Sequence, residues 1–151
     1  MFTWLPKPPL SVGSLAPDFT LLDDTGRSVP LASLRGRNVL LVFYPRDQTS
    51  VCTEQLCQLR DHWVQLQERN VQVFGVNPQN AVSHAEFRRK QTLPFPLLVD
   101  QGQKVGRLYR ANGLVPKRTV YLIGGDGKIL FAQRGMPSPD QILDALPEPL
   151  S

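Results

Sequence analysis

Two short apolar runs rich in β-branched and aromatic residues, Val39-Leu40-Leu41-Val42-Phe43-Tyr44 and Val71-Gln72-Val73-Phe74-Gly75-Val76, constrain the fold of this chain most. Near-continuous apolarity over six residues is the pattern of a strand covered on both faces, as in a parallel sheet. Parallel neighbours need a crossover, and the segment between the runs reads as a helix. Cys52, Leu56, Leu59, Trp63 and Leu66 recur there at helical spacing to form one apolar stripe, with Trp63 expected in the core. Thr49 or Ser50 is placed to cap its start, and its end is expected near Asn70.

The other elements follow from turn chemistry. Asp18 to Leu22 and Ser28 to Leu31 flank Asp23-Asp24-Thr25-Gly26 as a hairpin, with Pro30 assigning the second arm to a sheet edge, and Ala32 to Gly36 closes this entry segment. A second helix is expected from Asn80 or Ser83, stopped by Leu93-Pro94-Phe95-Pro96, followed by a strand over Leu97 to Asp100. Val105 to Tyr109 is a short helix. Thr119 to Ile123 and Lys128 to Gln133 form an antiparallel pair across the turn Gly124 to Gly127, which lacks the helix and Lys-Ser/Thr pair of a phosphate loop. Pro139 to Leu146 closes the chain as a helix. The Pro-rich residues 1–11 are expected as an extended arm and 147–151 as a tail. This order describes one domain over 1–151, an α/β thioredoxin-like fold whose central mixed β-sheet is flanked by helices on both faces, with an N-terminal β-hairpin extension.

The chain has 151 residues, 41% hydrophobic and 20% charged, and no apolar run near the roughly 20 residues of a membrane helix, so no membrane role is expected. Its start lacks the features of a secretory signal, which makes the cytoplasm the expected location. The net charge of +4 comes from scattered basic residues whose longest run is Arg88-Arg89-Lys90, which does not favour a nucleic-acid partner.

The chain's 2 cysteines, Cys52 and Cys57, lie where the first apolar run passes into the crossover helix. Cys52 falls in the first helical turn, where unpaired amides and the positive end of the helix dipole favour an anion, so its sulfur is expected to be thiolate more often than a free cysteine's. Two cysteines this close staple little, and in a reducing compartment they read as redox chemistry; the competing reading is a buried structural thiol on the stripe. No zinc-like ligand pattern accompanies them. His62 and His84 are expected as surface or boundary residues without chemistry, and Arg46, near Cys52 in sequence but equally suited to solvent, is left outside the candidate site.

Pro45, Thr49 and Cys52, spaced Pro-x-x-x-Thr-x-x-Cys, resemble the active-site loop of the peroxiredoxins. Cys57, Leu59-Arg60-Asp61, Leu93 to Asp100 and Arg118 to Ile123 are similar to the subgroup called bacterioferritin comigratory protein or peroxiredoxin Q, over about Val12 to Leu146. Ser50-Val51, where members commonly have Pro-Gly, and Gln55, where many have Glu, depart from its pattern. The resemblance implies a peroxidase without haem, flavin or metal, acting on hydrogen peroxide or organic hydroperoxides and recycled by thioredoxin or a similar dithiol protein. It implies Cys52 as peroxidatic and Cys57 as resolving cysteine, Thr49 offering its hydroxyl to sulfur or peroxide, Pro45 shaping and shielding the loop, and Arg118 stabilising the thiolate. With both cysteines in one chain, a monomer is expected. Two other readings stay open: a general thiol-disulfide oxidoreductase, which normally uses Cys-x-x-Cys, and a redox sensor switched by the same disulfide. On an intact helix, residues five apart are turned about 140° and their Cα atoms lie about 8.6 Å apart. A disulfide needs less than about 7 Å, so local unwinding of about residues 50 to 58 must precede it.

Overall fold

The computed structural model describes residues 7–148; residues 1–6 of the expected arm and 149–151 of the expected tail lie outside the described residues. In chain order these are β1 (Thr20–Asp23), β2 (Ser28–Pro30), β3 (Asn38–Phe43), α1 (Ser50–Asp61), α2 (Trp63–Glu68), β4 (Val71–Asn77), α3 (Ala81–Gln91), β5 (Leu97–Val99), α4 (Lys104–Leu108), β6 (Thr119–Ile123), β7 (Ile129–Arg134) and α5 (Pro139–Asp144). The strands form one mixed sheet in the order β2-β1-β5-β4-β3-β6-β7. The two apolar runs pair in parallel, Leu40 beside Val73 and Val42 beside Gly75, and β5 joins β4 in parallel. The hairpin is the edge of this same sheet, because Leu22 and Asp23 pair antiparallel with Val99 and Leu98.

Alternation along β3 divides the core. Leu40, Val42 and Tyr44 face one cluster with Cys52, Leu56, Leu66, Phe87 and Ile142, from α1, α2, α3 and α5. Val39, Leu41 and Phe43 face the other, with Phe19, Leu31, Val105 and Tyr109. Gly75 lets the first cluster close up, since a Cβ there would sit 2.7 Å from Leu97 Cδ2 and 3.0 Å from Tyr44 Cε1.

The crossover is two helices, not the single one its stripe predicts. At His62 (φ −106°, ψ 20°) the amide is shared between the Gln58 and Leu59 carbonyls at 3.2 Å each, and the ring Nδ1 lies 2.9 Å from the same Gln58 oxygen. That competition tightens the last turn of α1 and re-aims the chain. The stripe survives the break: Leu59 and Leu66 are buried, and Trp63 packs on the core beside Phe95 at 5.9 Å between ring centroids. The described part of the arm is held by Tyr121, whose hydroxyl accepts from Leu10 N at 2.9 Å.

Candidate active site

The loop leaving β3 carries Pro45 to Thr49 and delivers the chain to the mouth of α1. The first helical bond runs from Thr53 N to Thr49 O at 2.8 Å, so the amides of Ser50, Val51 and Cys52 have no carbonyl partner among the described residues. Cys52 lies within that first turn with its sulfur fully buried against Tyr44 and Leu56. Thr49 occupies the N-cap, yet its hydroxyl does not cap the helix as the sequence suggests. It turns back and donates to Arg46 O at 3.2 Å, tightening a loop that Gln48 enters at φ 62°. Its only proton is spent there, while its oxygen keeps lone pairs able to accept. Pro45, half-buried between strand and helix, offers no amide to this loop. Arg46 is exposed, in line with its exclusion from the site.

Strand register brings Arg118 to the sulfur across 66 positions of sequence. β6 pairs antiparallel with β3, Thr119 opposite Phe43, so the residue before β6 stands beside the loop that follows β3. Arg118 Nη2 donates to Cys52 Sγ at 3.2 Å, and Nη1 donates to Gln55 Oε1 at 2.7 Å. Gln55 in turn reaches Gly135 O at 3.4 Å, and Gly135 N donates to Arg118 O at 2.8 Å, which ties the ends of β6 and β7 to α1. Sequence reasoning noted Gln55 only as a departure from a pattern and did not place it in the site. The available signal was a polar residue on the buried face of α1, three positions after Cys52, where it is 3% exposed. A guanidinium donor on the buried sulfur, its other arm fixed by Gln55, disfavours the reading of Cys52 as an inert apolar thiol.

Cys57 is not brought to Cys52. Both thiols are free and α1 is continuous from Ser50 to Asp61, so the two sulfurs lie on different faces. Cys57 Sγ instead donates to Gln91 Oε1 at 3.6 Å, and Arg60 Nη1 donates to Gln91 O at 2.6 Å, locking the middle of α1 to the end of α3. Burial raises the Cys57 thiol above its ordinary value, partly offset by the charge of Arg60, with Asp61 raising it further. Gln91→Ala removes the side-chain half of this lock and is expected to speed disulfide formation about two- to threefold in rapid-quench alkylation, as befits one weak hydrogen bond.

His84 corrects the sequence reading most sharply, for it is neither surface nor boundary but fully buried. Its Nδ1 lies 2.7 Å from Asp47 Oδ2 and its Nε2 2.9 Å from Leu98 O. Spacing along α3 gave no hint, because the partner belongs to the loop before α1. Asp47 also accepts from Tyr44 Oη at 2.5 Å, Asn77 Nδ2 at 3.1 Å and Ser83 Oγ at 2.7 Å. Burial pushes the Asp47 carboxyl up, but the hydrogen bonds from His84 and Tyr44, the charge of His84 and the Ser83 bond outweigh it, leaving the group below its ordinary value of 3.8. An acid held more ionised in the folded chain than in the unfolded one stabilises fully above the unfolded value, and that contribution is lost as pH falls through the folded value. Thermal unfolding is therefore expected to lose stability as pH drops below about 4, and Asp47→Asn to flatten that slope. Among the described residues, no three His, Cys, Asp or Glu side chains are grouped to hold a metal ion.

A mixed thioredoxin-like sheet presenting a cysteine at a helix mouth beneath an arginine fork defines a class, and comparison with known proteins agrees. Residues 12–132 match the AhpC/TSA family. The chain is 37% identical over 136 residues to the putative peroxiredoxin Q, chloroplastic, of Oryza sativa subsp. indica, covering 87% of this chain and 63% of that protein. It is 37% identical over 131 residues to the putative peroxiredoxin bcp of Coxiella burnetii, covering 80% of this chain and 85% of that one. Its fold superposes on the crystal structure of peroxidoxin BcpB from Mycobacterium tuberculosis with a TM-score of 0.84 at 28% identity, over 90% of this chain and 96% of the other. The chain belongs to the AhpC/TSA family of peroxiredoxins, among relatives named peroxiredoxin Q and bcp. It spans less than two thirds of the length of the rice relative.

Proposed function

We propose that this protein is a thiol-dependent peroxidase in which Cys52 attacks hydrogen peroxide or a small organic hydroperoxide. The observation that carries this reading is the Arg118 guanidinium 3.2 Å from the buried Cys52 sulfur at the open amides of α1. The guanidinium and the helix amides favour an anionic sulfur and meet the negative charge that develops on the peroxide. The sulfur bonds to one peroxide oxygen, the O–O bond breaks, and the departing oxygen takes a proton to leave as water or alcohol. Cys52 is then a sulfenic acid. Residues 50 to 58 unwind, the Cys57 sulfur displaces the sulfenic oxygen as water, and an intramolecular disulfide forms. A dithiol protein such as thioredoxin reduces it by exchange, taking up the disulfide itself.

Opening two turns at a helix end costs little, because the early turns of a helix are among its least protected parts. A single chain carries both sulfurs, so the cycle needs no second copy, and chemistry reset through two thiols suits a reducing compartment such as the cytoplasm. The test is the intact mass after one equivalent of hydrogen peroxide. Loss of two hydrogens supports the cycle, and gain of one oxygen without further change overturns the role of Cys57. Amide exchange adds a second check, since equal protection of residues 50 to 58 in the reduced and disulfide forms excludes unwinding.

A further inference from the structure

The Asp47–His84 pair takes no part in the chemistry above, yet it holds the most densely bonded side chain of the active-site loop. Between Tyr44 and Ser50 only Asp47 is buried: Arg46, Gln48 and Thr49 are exposed and Pro45 is half-buried. The path of this loop is therefore fixed from the inside at one residue. Four donors converge on its carboxylate, Tyr44 and Asn77 on Oδ1, Ser83 and His84 on Oδ2, while its amide donates to Gln79 Oε1 at 2.5 Å. They come from the ends of β3 and β4 and the first turn of α3, and His84 carries the chain of bonds on to Leu98 in β5.

The His84 ring joins the Asp47 carboxylate to the Leu98 carbonyl, with the His84 and Asp47 side chains essentially shut off from solvent. A buried polar pair of this kind seldom outdoes an apolar core in stability; what it supplies is a single geometry.

We propose that Asp47 and His84 are positioning residues for peroxide attack: their buried hydrogen-bonded pair clamps the loop to α3 and β5, holding the mouth of α1 against Arg118, and stays closed while residues 50 to 58 unwind. The proposal rests on Cys52 as the attacking sulfur. α3 then grips the active-site segment at both ends with unlike holds, the buried bonds of Ser83 and His84 to Asp47 and a weak, half-buried lock at Gln91. Only the second must release for Cys57 to move.

Two substitutions separate the two ring nitrogens. His84→Asn places an amide donor near the position of Nδ1 and keeps the bond to Asp47, whereas His84→Gln reaches toward Leu98 and leaves Asp47 without its partner. The rate constant for Cys52 oxidation by hydrogen peroxide is expected to fall at least about tenfold in His84→Gln and to stay within about threefold of wild type in His84→Asn, a tenfold loss being the size of one charge-assisted bond. The first-order rate of disulfide formation is expected to change less than about twofold in both. Leu66→Ala, a cavity in the same core away from the loop, serves as the control that loses thermal stability without slowing oxidation. A His84→Gln protein as destabilised as Leu66→Ala yet oxidised at the wild-type rate overturns the proposal, as does equal slowing of oxidation and disulfide formation.

Wild-type protein gives a readout that needs no variant to fold. In the disulfide form, prepared with diamide, the Asp47 amide is expected to stay protected from exchange while the amides of residues 50 to 58 lose protection. Exchange of Asp47 as fast as its unwound neighbours overturns the clamp. This measurement reads the loop whichever atom attacks peroxide, so a failure of the clamp and a failure of Cys52 as nucleophile are distinguishable.

Discussion

Replacing Cys52 with serine is expected to leave no peroxide consumption above background in a thioredoxin-coupled assay, with thermal stability close to that of the parent protein. The hydroxyl fits the space of the thiol and can still accept from Arg118, so the fork and its bond to Gln55 are preserved. What disappears is chemistry. An alcohol stays protonated at neutral pH and has no accessible counterpart of the sulfenic state, so no oxygen can be taken from the peroxide. Turnover in Cys52→Ser would sink the peroxidase mechanism outright. Cys57→Ser, by contrast, is expected to consume one equivalent of peroxide and stop, its mass raised by one oxygen, because in the proposed cycle the second thiol serves only to clear the sulfenic acid. The contrast of no equivalents against one separates attack from resolution, and a disulfide oxidoreductase would show neither pattern.

The elements of the fold were legible because each rests on local chemistry: the apolarity of β3 and β4, the helical stripe of α1, the prolines around β5, the glycine turn between β6 and β7. The sequence did not show that the hairpin joins β5 to complete the sheet, since edge pairing is decided by whole-chain packing. Nor did it show the break at His62, which turns on one ring competing for a carbonyl. The site divides the same way. Cys52 was singled out by its place at a strand-to-helix junction, whereas Cys57 as its resolving partner entered through resemblance, helix geometry adding only that it stays out of reach of Cys52 while α1 is wound. Arg118 entered through resemblance, because no local rule links it to a sulfur 66 positions away; the pairing of Thr119 with Phe43 is what brings it there. Gln55 hid as a polar residue on an apolar stripe, and His84 hid because a lone histidine in a polar helix gives no sign of a carboxylate 37 positions upstream.

Arg118→Leu is expected to slow oxidation of Cys52 by about 10²-fold, the usual cost of removing one fixed donor from a site of developing negative charge. Opposite unit charges about 4 Å apart at an effective dielectric of about 20 attract by roughly 4 kcal/mol, and part of that is offset by desolvating the guanidinium. A net loss of about 2.7 kcal/mol corresponds to the hundredfold drop. The same change strands Gln55 Oε1 in a buried position, so a stability loss of about 1–3 kcal/mol should accompany it. Arg118→Lys separates charge from geometry: a single ammonium reaches the sulfur or Gln55 but not both in the planar fork, and an intermediate rate follows. Gln55→Glu adds the complementary case. It keeps an acceptor for Nη1 but makes it an anion beside the sulfur, drawing the guanidinium charge away from Cys52, so oxidation slows although every bond of the fork can form. Single-mixing measurement of the rate constant against peroxide concentration orders the four proteins. Arg118→Leu reacting within twofold of wild type would mean that the charge on the fork does not act on the sulfur, leaving the helix mouth alone to hold the anion.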